Sequence, residues 1–376
     1  MKRLFKILKR TLIILLSLTG VLLIVAFFYM KQAKFGKLAS GERLERIQKS
    51  PNYKNGKFVN KIIKPTITEG FSMTSLLYQT LFKKFERRFP ADTLPTIKTD
   101  LKALQIDTNL VVWFGHSSVY MQLDGKRFLI DPVFSGSASP LPNSVKAFKG
   151  VDIYTPEDFP EIDFLIISHD HYDHLDYKTI LALKSKVKQV VCGLGVGAHF
   201  EYWGYDNNRI IEKDWYEQVN ISPDFTIHTF PTHHDGGRSL KRSQSLWLSF
   251  VFETPAMKIF YSGDGGYDPV FKEIGQKFGT IDFALMECGQ YNIAWQSVHK
   301  LPEEVKQATI DINAKRMLPV HHSKFSLAQH PWDEPIIKMT ELAEGAPYTL
   351  ATPIIGEVLY LNNASQTFKQ WWKGIN

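Results

Sequence analysis

A dense group of side chains of metal-binding type follows a short apolar stretch near the middle of the chain. Ile166-Ile167-Ser168 has the composition of a buried strand end, and it leads directly into His169-Asp170-His171-Tyr172-Asp173-His174-Leu175-Asp176. Imidazole and carboxylate groups at this density are costly beside an apolar strand unless a cation or a hydrogen-bond network satisfies them. The HxHxDH spacing therefore predicts a metal site.

The ligand types indicate which ions and which chemistry to expect. Imidazole and carboxylate suit zinc, with iron or manganese as alternatives. Two such ions, about 3.5–4 Å apart, can hold a bridging hydroxide, lower its pKa and stabilise the charge that develops in a displacement. That hydroxide can attack the phosphorus of a phosphodiester or a carbonyl carbon. The motif predicts a hydrolase but does not identify the bond that is cleaved.

Short runs of β-type residues surround the histidine run from Asn109 onward. We predict strands over Leu110–Phe114, Val119–Leu123, Arg127–Ile130, Phe164–Ser168, Gln189–Cys192, Phe225–Phe230, Leu246–Glu253, Lys258–Tyr261, Phe283–Glu287, Arg316–Val320 and Glu357–Leu361. Helices are predicted over Tyr177–Leu183 and Pro302–Ile312, where Pro302 suits a first helical position. Strands mixed with helices predict a layered α/β sandwich.

The motifs resemble those of the metallo-β-lactamase superfamily over roughly residues 109–362. Within it they are similar to bacterial relatives of the N-acyl-phosphatidylethanolamine-hydrolysing phospholipase D. Besides the HxHxDH run, the resemblance lies in FGHSS at 114–118, LIDPVF at 129–134, ASP at 138–140, YSGDGGY at 261–267 and HPWDEP at 330–335. It implies an αββα sandwich, a dinuclear metal site at the strand ends and a lipid phosphodiester as substrate.

The resemblance also implies a ligand for each metal position. The two ions would each take three ligands of their own: His169, His171 and His234 for the first, and Asp173, His174 and His321 for the second. Asp264 would bridge the two ions, and Asp173 would also steer the hydroxide. Zn²⁺ is the expected ion at both positions.

Two of these histidines belong to adjacent pairs, so each has a neighbour as an alternative. His233 is the alternative to His234, and His322 is the alternative to His321. Because successive side chains leave a strand on opposite faces, one member of each pair should face the metals. The family commonly has Trp-Gly after the last histidine, whereas this chain has His322-Ser323.

Three further residues have both a functional and a plain interpretation. His299, just before Pro302, corresponds to a substrate-facing histidine of the phospholipase and would bind phosphate or protonate the leaving group, or else start a helix in solvent. Asp131 would orient a ligand histidine or cap a turn. His116 would orient a ligand or lie in a loop.

The N-terminal quarter of the chain is basic and begins with an apolar segment. Residues 1–100 hold 20 Lys/Arg and 6 Asp/Glu, against 25 and 32 in residues 101–376, so the balance changes from +14 to −7. The acidic body argues against nucleic-acid binding. Thr11–Met30 has no charge and is long enough, at about 30 Å, to span a bilayer as an uncleaved signal anchor behind the basic flank 1–10.

The segment between this anchor and the catalytic domain at 106–376 is a basic juxtamembrane extension, 31–105. Within it Ser75–Phe89 has the pattern of an amphipathic helix, which would either pack on the domain or rest on lipid headgroups. Five basic residues before the anchor, against three just after it, favour a single-pass cell-membrane protein whose catalytic domain is on the non-cytoplasmic side.

The leading hypothesis is a membrane-anchored dinuclear-metal hydrolase that acts on N-acyl-phosphatidylethanolamine-like lipids. A lactonase, a β-lactamase-like enzyme or another ester or amide hydrolase is the alternative, acting on a small-molecule substrate. A flavodiiron-type redox protein is disfavoured because the HxHxDH run is intact. The two cysteines, Cys192 and Cys288, exclude a Cys₄ zinc site and are expected to be buried thiols.

Overall fold

Short runs of mostly buried residues build two seven-stranded β-sheets in the computed structural model, which describes residues 2–376. The helices are α1 Lys2–Tyr29, α2 Glu42–Gln48, α3 Met73–Phe82, α4 Tyr177–Leu183, α5 Gly197–Tyr202, α6 Val270–Phe278, α7 Pro302–Asp311 and α8 Glu334–Ala343. The strands are β1 Tyr53–Lys54, β2 Lys57–Phe58, β3 Leu110–Trp113, β4 Val119–Leu123, β5 Lys126–Ile130, β6 Ile162–Ile167, β7 Val187–Gly193, β8 Ile210–Lys213, β9 Gln218–Ser222, β10 Phe225–Phe230, β11 Ser249–Glu253, β12 Lys258–Tyr261, β13 Phe283–Glu287, β14 Arg316–Val320, β15 Thr349–Leu350 and β16 Val358–Tyr360.

The two sheets face each other across one apolar layer. The first has the order β16-β3-β4-β5-β6-β7-β8 and the second β15-β14-β13-β12-β11-β10-β9. Side chains such as Trp113, Phe128 and Ile166 from the first sheet meet Phe250 and Leu285 from the second in the central core. Burial of this apolar surface is the main favourable contribution to folding.

Helices cover the outer face of each sheet. Ile180 of α4 and Phe200 of α5 pack against the first sheet, and α6, α7 and α8 pack against the second through Ile274, Val305 and Met339. This arrangement confirms the predicted αββα sandwich. Both cysteines are buried free thiols, as expected, and burial raises the pKa of Cys192 to about 12.

Two predicted elements differ from their predicted bounds by three residues or more. The Leu246–Glu253 strand begins only at Ser249, because the amides of Leu246 and Leu248 donate instead to carbonyls of Leu194 and Ser168 at the other sheet. The Ser75–Phe89 helix is α3, which ends at Phe82. Beyond it the chain is drawn towards α8, where Arg87 pairs with Asp333 and accepts a hydrogen bond from Trp332.

The apolar segment at the N-terminus forms α1, a 28-residue helix whose side chains are exposed or half-buried. The helix includes most of the basic flank, so the predicted anchor starts within a longer helix. Its length and mean hydropathy make it a candidate membrane span.

The extension that follows α1 packs onto the sandwich. Ile47, Phe58 and Leu94 belong to the central core, and Thr96 forms a β-bridge with Ile355. The division of the chain near residue 105 stays a prediction, and these contacts tie the extension to the catalytic body.

Candidate metal centre

The predicted site residues converge where strands of both sheets end. Strand β6 ends at Ile167 and the HxHxDH run follows it. The other predicted residues follow β10, β12 and β14 in the opposite sheet, where they contribute His234, Asp264 and His321. Because the carboxyl ends of these strands meet at one edge of the sandwich, side chains more than 150 positions apart become neighbours.

Three histidine rings form the first group. Nε2 of His169 lies 2.9 Å from Nδ1 of His171, and Nε2 of His234 lies 3.2 Å from the same Nδ1. The three rings therefore direct one nitrogen each towards a common point, with the candidate ligand atoms within 4.8 Å of one another. Three imidazole ligands around one point are typical of a divalent metal site.

The second group contains Asp173, His174 and His321, joined by His116. One candidate ligand atom from each of the four lies within 4.8 Å of the others. Oδ2 of Asp173 lies 3.5 Å from Nε2 of His174 and 2.9 Å from Nε2 of His116. His116 therefore contacts the carboxylate of Asp173, which favours the interpretation that it orients a ligand over a plain loop histidine.

Asp264 lies between the two groups. Its Oδ2 is 3.0 Å from Nε2 of His174 and 4.0 Å from Nε2 of His169, and its Oδ1 is 3.2 Å from Nδ1 of His321. Within residues 2–376, Oδ1 of Asp264 and Nε2 of His321 are buried without a hydrogen-bond partner. Buried polar atoms without partners are costly, and a bound cation would satisfy both. The donor set thus fits divalent metal ions.

The electrostatics of the site also suit metal binding. Burial lowers the pKa of His234 to about 3 and holds the pKa values of His169 and His321 well below the usual value. These three imidazoles stay neutral at pH 7, with a lone pair available for a metal. Burial would also lower the pKa of His174, but Asp264, Asp173 and Asp131 outweigh it and raise that pKa. The carboxylates therefore favour a positive charge at this position.

Asp131 orients a candidate ligand through hydrogen bonds. Its Oδ2 accepts hydrogen bonds from Nδ1 of His174 at 2.8 Å and from the Tyr261 hydroxyl, and its Oδ1 accepts one from the Ser168 amide at 2.8 Å. Asp131, His116 and His321 all have positive φ, 42°, 52° and 71°, a region that residues other than glycine rarely adopt. Strain of this kind is concentrated at functional sites.

Replacing Asp131 with asparagine should weaken metal binding. The amide has one acceptor oxygen, which cannot serve His174, Tyr261 and Ser168 as the carboxylate does. We expect a loss of zinc affinity of about 10–100-fold, the usual effect of removing a group that orients a metal-binding histidine. Competition with a chromophoric chelator measures it. Asp282→Asn is the matched control, because Asp282 precedes β13 and lies at the end of the strand away from the metal centre. Equal zinc affinities in the two variants would contradict the role of Asp131.

The structure distinguishes the members of each histidine pair. The ring of His234 lies 4.7 Å from that of His169, whereas Nε2 of His233 lies 3.0 Å from the carbonyl of Ile62. His321 lies in the second group. The ring of His322 instead lies 4.9 Å from that of Trp113.

His299 lies beside the two groups and not in solvent. Its ring is 5.3 Å from that of His234 and 5.3 Å from that of His321. Its Nδ1 lies 3.1 Å from Oε1 of Glu287, whose Oε2 accepts a hydrogen bond from Lys300 at 2.7 Å. Glu287 and Lys300 were missed in the sequence. The available signal was a carboxylate at the end of an otherwise apolar strand.

Residues of the N-terminal extension also reach the site. Nδ2 of Asn60 donates to the His234 carbonyl at 2.8 Å, and its Oδ1 accepts from the His234 amide at 3.3 Å and from Nε1 of Trp247 at 3.0 Å. Asn60 therefore holds the peptide groups of a candidate ligand on both sides. No motif in the sequence indicated this residue, because the contact depends on the path of the extension over the sandwich.

The two groups open into a cavity of about 290 Å³. Its lining includes the exposed sides of the candidate ligands together with Thr66, Arg242, Gln290, Trp295, Val298 and Leu327. Arg242 places a cationic group at the cavity, where Asp235 accepts two hydrogen bonds from it at 2.9 and 3.0 Å. The cavity thus combines metal-binding groups, one guanidinium and an apolar wall.

Comparisons with known proteins agree with the fold and the family resemblance. A model of the beta-lactamase superfamily domain matches residues 126–322. An uncharacterised protein of Mycobacterium tuberculosis is 33% identical over 340 residues, which cover 87% of this chain and 88% of that protein. An N-acyl-phosphatidylethanolamine-hydrolyzing phospholipase D of Caenorhabditis elegans is 29% identical over 297 residues, 72% of this chain and 82% of that one.

The solved structures support the fold. A metallo hydrolase from Ignicoccus hospitalis, 18% identical, covers 67% of this chain and 97% of its own with a TM-score of 0.53. The superfamily model matches over half of the chain, and the structure adds the sandwich fold and the convergent histidines. The chain belongs to the metallo-β-lactamase superfamily and is a metal-dependent hydrolase.

Proposed function

We propose that this protein is a membrane-anchored hydrolase with two metal ions that cleaves a phosphodiester of N-acyl-phosphatidylethanolamine-like lipids. The observation that carries the proposal is that the chain leading from α1 itself lines the cavity of the metal centre, through Thr66. A candidate membrane span and the candidate catalytic groups are thus joined by one packed segment. The name of the Caenorhabditis elegans relative supports the same substrate class.

The ligands would be divided as the sequence predicts. His169, His171 and His234 would hold the first ion, Asp173, His174 and His321 the second, and Asp264 both. The chemistry that two divalent ions supply in such a site is activation of water and stabilisation of the charge that develops on the reacting group. Zinc suits these donors, with iron or manganese as alternatives.

The remaining residues of the cavity would bind and orient the substrate. His299, whose ring contacts Glu287, would hydrogen-bond a phosphate oxygen or give a proton to the leaving group. Arg242 pairs with Asp235 through one Nη atom, and its other N–H groups would donate to an anionic substrate. Trp295, Val298 and Leu327 offer an apolar surface to the lipid portion.

The surface beside the cavity suits contact with a bilayer. The amide of Thr68 donates to the Ala294 carbonyl near the cavity, and α3 starts five residues later. Large apolar side chains of α3 are exposed to solvent: Met73, Leu77, Tyr78, Leu81 and Phe82. Lys83 and Lys84 follow them, and a basic amphipathic surface of this kind binds anionic membranes. We place the catalytic body on the non-cytoplasmic side, because the first ten residues, most of them in the first turns of α1, carry more positive charge than the residues just after the helix.

Removal of residues 1–28 should separate membrane attachment from the chemistry. The side chains of α1 lie outside the core, so the truncated protein should keep its metal content and its activity on a soluble chromogenic phosphodiester. Its activity on N-acyl-phosphatidylethanolamine in vesicles should fall by about 10–100-fold, because a tether raises the effective concentration of enzyme at the lipid surface. The assay compares both forms on both substrates, with a lactone and a lactam added.

Two results would count against the proposal. Equal rates of the two forms on vesicle lipid would limit α1 to a role in localisation. If neither form cleaved a phospholipid while both opened the lactone or lactam, the alternative hydrolase would replace the phosphodiesterase.

A further inference from the structure

A second and larger cavity lies at the end of α1, apart from the candidate metal ligands. Its volume is about 570 Å³, against about 290 Å³ for the cavity of the metal centre. Three parts of the chain line it: residues 32–34 just after α1, the loop 135–146, and the group formed by Tyr172, residues 176–178 and Arg238. The mechanism proposed above leaves this cavity without a role.

The lining of this second cavity is rich in positive charge. It contains Lys34, Lys146, Lys178 and Arg238, with Asp176 as the only carboxylate among its lining residues. The Asp176 carboxylate accepts hydrogen bonds from the Ser135 amide and the Thr179 hydroxyl, and its charge offsets one of the four positive charges. The ion pairs of lysines within residues 2–376 involve other lysines and include neither Lys146 nor Lys178. The cavity therefore has a net positive charge that the protein leaves uncompensated.

Arg238 is a fixed part of this lining. It is only 4% exposed, and its Nη atoms donate to the carbonyls of Asp170, Leu175 and Lys34. Its Nε is buried without a hydrogen-bond partner among the described residues. Besides these three carbonyls, the guanidinium lies over the Tyr172 ring, and among the described residues no carboxylate is close enough to pair with it, so it lacks a directly paired counter-ion. An anion in the cavity would supply one.

The cavity is also placed at the end of the candidate membrane span. The hydroxyl of Tyr29, the last residue of α1, donates to the Pro140 carbonyl at 2.7 Å, and the ring of Phe35 packs 6.2 Å from that of Tyr172. These contacts fix the end of α1 against the loop of the cavity. Leu141, which lines the same cavity, is 55% exposed. If α1 crosses the bilayer, the lysines lie at the depth of lipid headgroups.

From this geometry we propose that the second cavity binds the phosphate headgroup of an anionic phospholipid, whose acyl chains remain in the bilayer beside α1. Lysine side chains near a membrane surface attract anionic lipids, and basic pockets beside membrane helices bind their headgroups. The bound lipid is a permanent neighbour of the anchor and not the substrate. The proposal rests on the membrane anchoring proposed for α1.

The test uses the full chain in zwitterionic detergent micelles. Binding of phosphatidylglycerol and of phosphatidylcholine is titrated by native mass spectrometry for the wild type and two variants. One variant neutralises the cavity, Lys34→Gln with Lys146→Gln and Lys178→Gln. The control removes the same charge elsewhere, Lys272→Gln with Lys306→Gln and Lys369→Gln. We expect the wild type and the control to prefer phosphatidylglycerol by about tenfold or more, and the cavity variant to lose most of that preference.

Three results would overturn the proposal: no preference in the wild type, equal preference in the two variants, or full displacement of phosphatidylglycerol by inorganic phosphate, which would indicate a site for free phosphate. Sedimentation of the full chain with membranes tests the anchor separately. Metal content and activity on a soluble phosphodiester should be the same in all three proteins. A failure of the lipid site is therefore distinguishable from a failure of the proposed function.

Discussion

Replacement of Asp264 with alanine is expected to remove both metal ions and to lower kcat/KM by about a thousandfold or more. The reason is its position, since its carboxylate oxygens lie 3.0 Å from His174 and 3.2 Å from His321 in the second group and 4.0 Å from His169 in the first. Metal ions contribute several kcal/mol of transition-state stabilisation in hydrolases, and about 1.4 kcal/mol corresponds to each factor of ten in rate. Metal content by plasma mass spectrometry and hydrolysis of a soluble phosphodiester measure the two effects.

The His171→Ala variant tests whether one metal ion can be lost without the other. His171 belongs to the first group alone, so its loss should reduce the metal content to about one ion per chain while activity still falls strongly. Asp282→Ala, which removes a carboxylate at the far end of β13, should retain both ions. If His171→Ala kept two ions and full activity, the dinuclear site would be wrong. Circular dichroism confirms that each variant is folded.

The second large effect is a contrast within each histidine pair. His234→Ala and His321→Ala should each lose at least about a hundredfold more activity than His233→Ala and His322→Ala. Only His234 and His321 direct their rings at the groups of candidate ligands. A missing ligand leaves an incomplete coordination sphere, whereas a missing neighbour leaves the sphere intact.

Replacement of the second histidine of a pair should reduce the stability of the protein and not its metal content. His322 is 1% exposed and its ring packs against that of Trp113, so His322→Ala should lower the free energy of unfolding by about 1–3 kcal/mol through the cavity it leaves, with the metal content unchanged. Thermal unfolding and metal content, measured on the same variants, distinguish a loss of stability from a loss of metal. The reverse ranking within either pair would move that ligand by one residue along the chain.

Local pattern was enough to predict the sandwich and part of its site. The strands were predictable because buried strands require runs of β-branched and aromatic residues, and β3, β4, β12, β13 and β14 lie at or within one residue of their predicted bounds. The HxHxDH run needs no long-range information, since His169, His171 and His174 lie within six residues. Edge strands such as β8 and β9 were missed because they carry a weaker pattern.

The sequence alone thus determined the fold class, the histidine run and the apolar N-terminal helix, since each depends on residues close together in the chain. Only the tertiary structure decided which member of each histidine pair faces the centre. Here positive φ at His321, and not strand alternation, sets the direction. Only the tertiary structure joined Glu287 and Lys300 to His299, placed Asn60 on His234 and formed the basic cavity beside α1. These contacts depend on sheet register and on the path of the extension, which local composition does not encode.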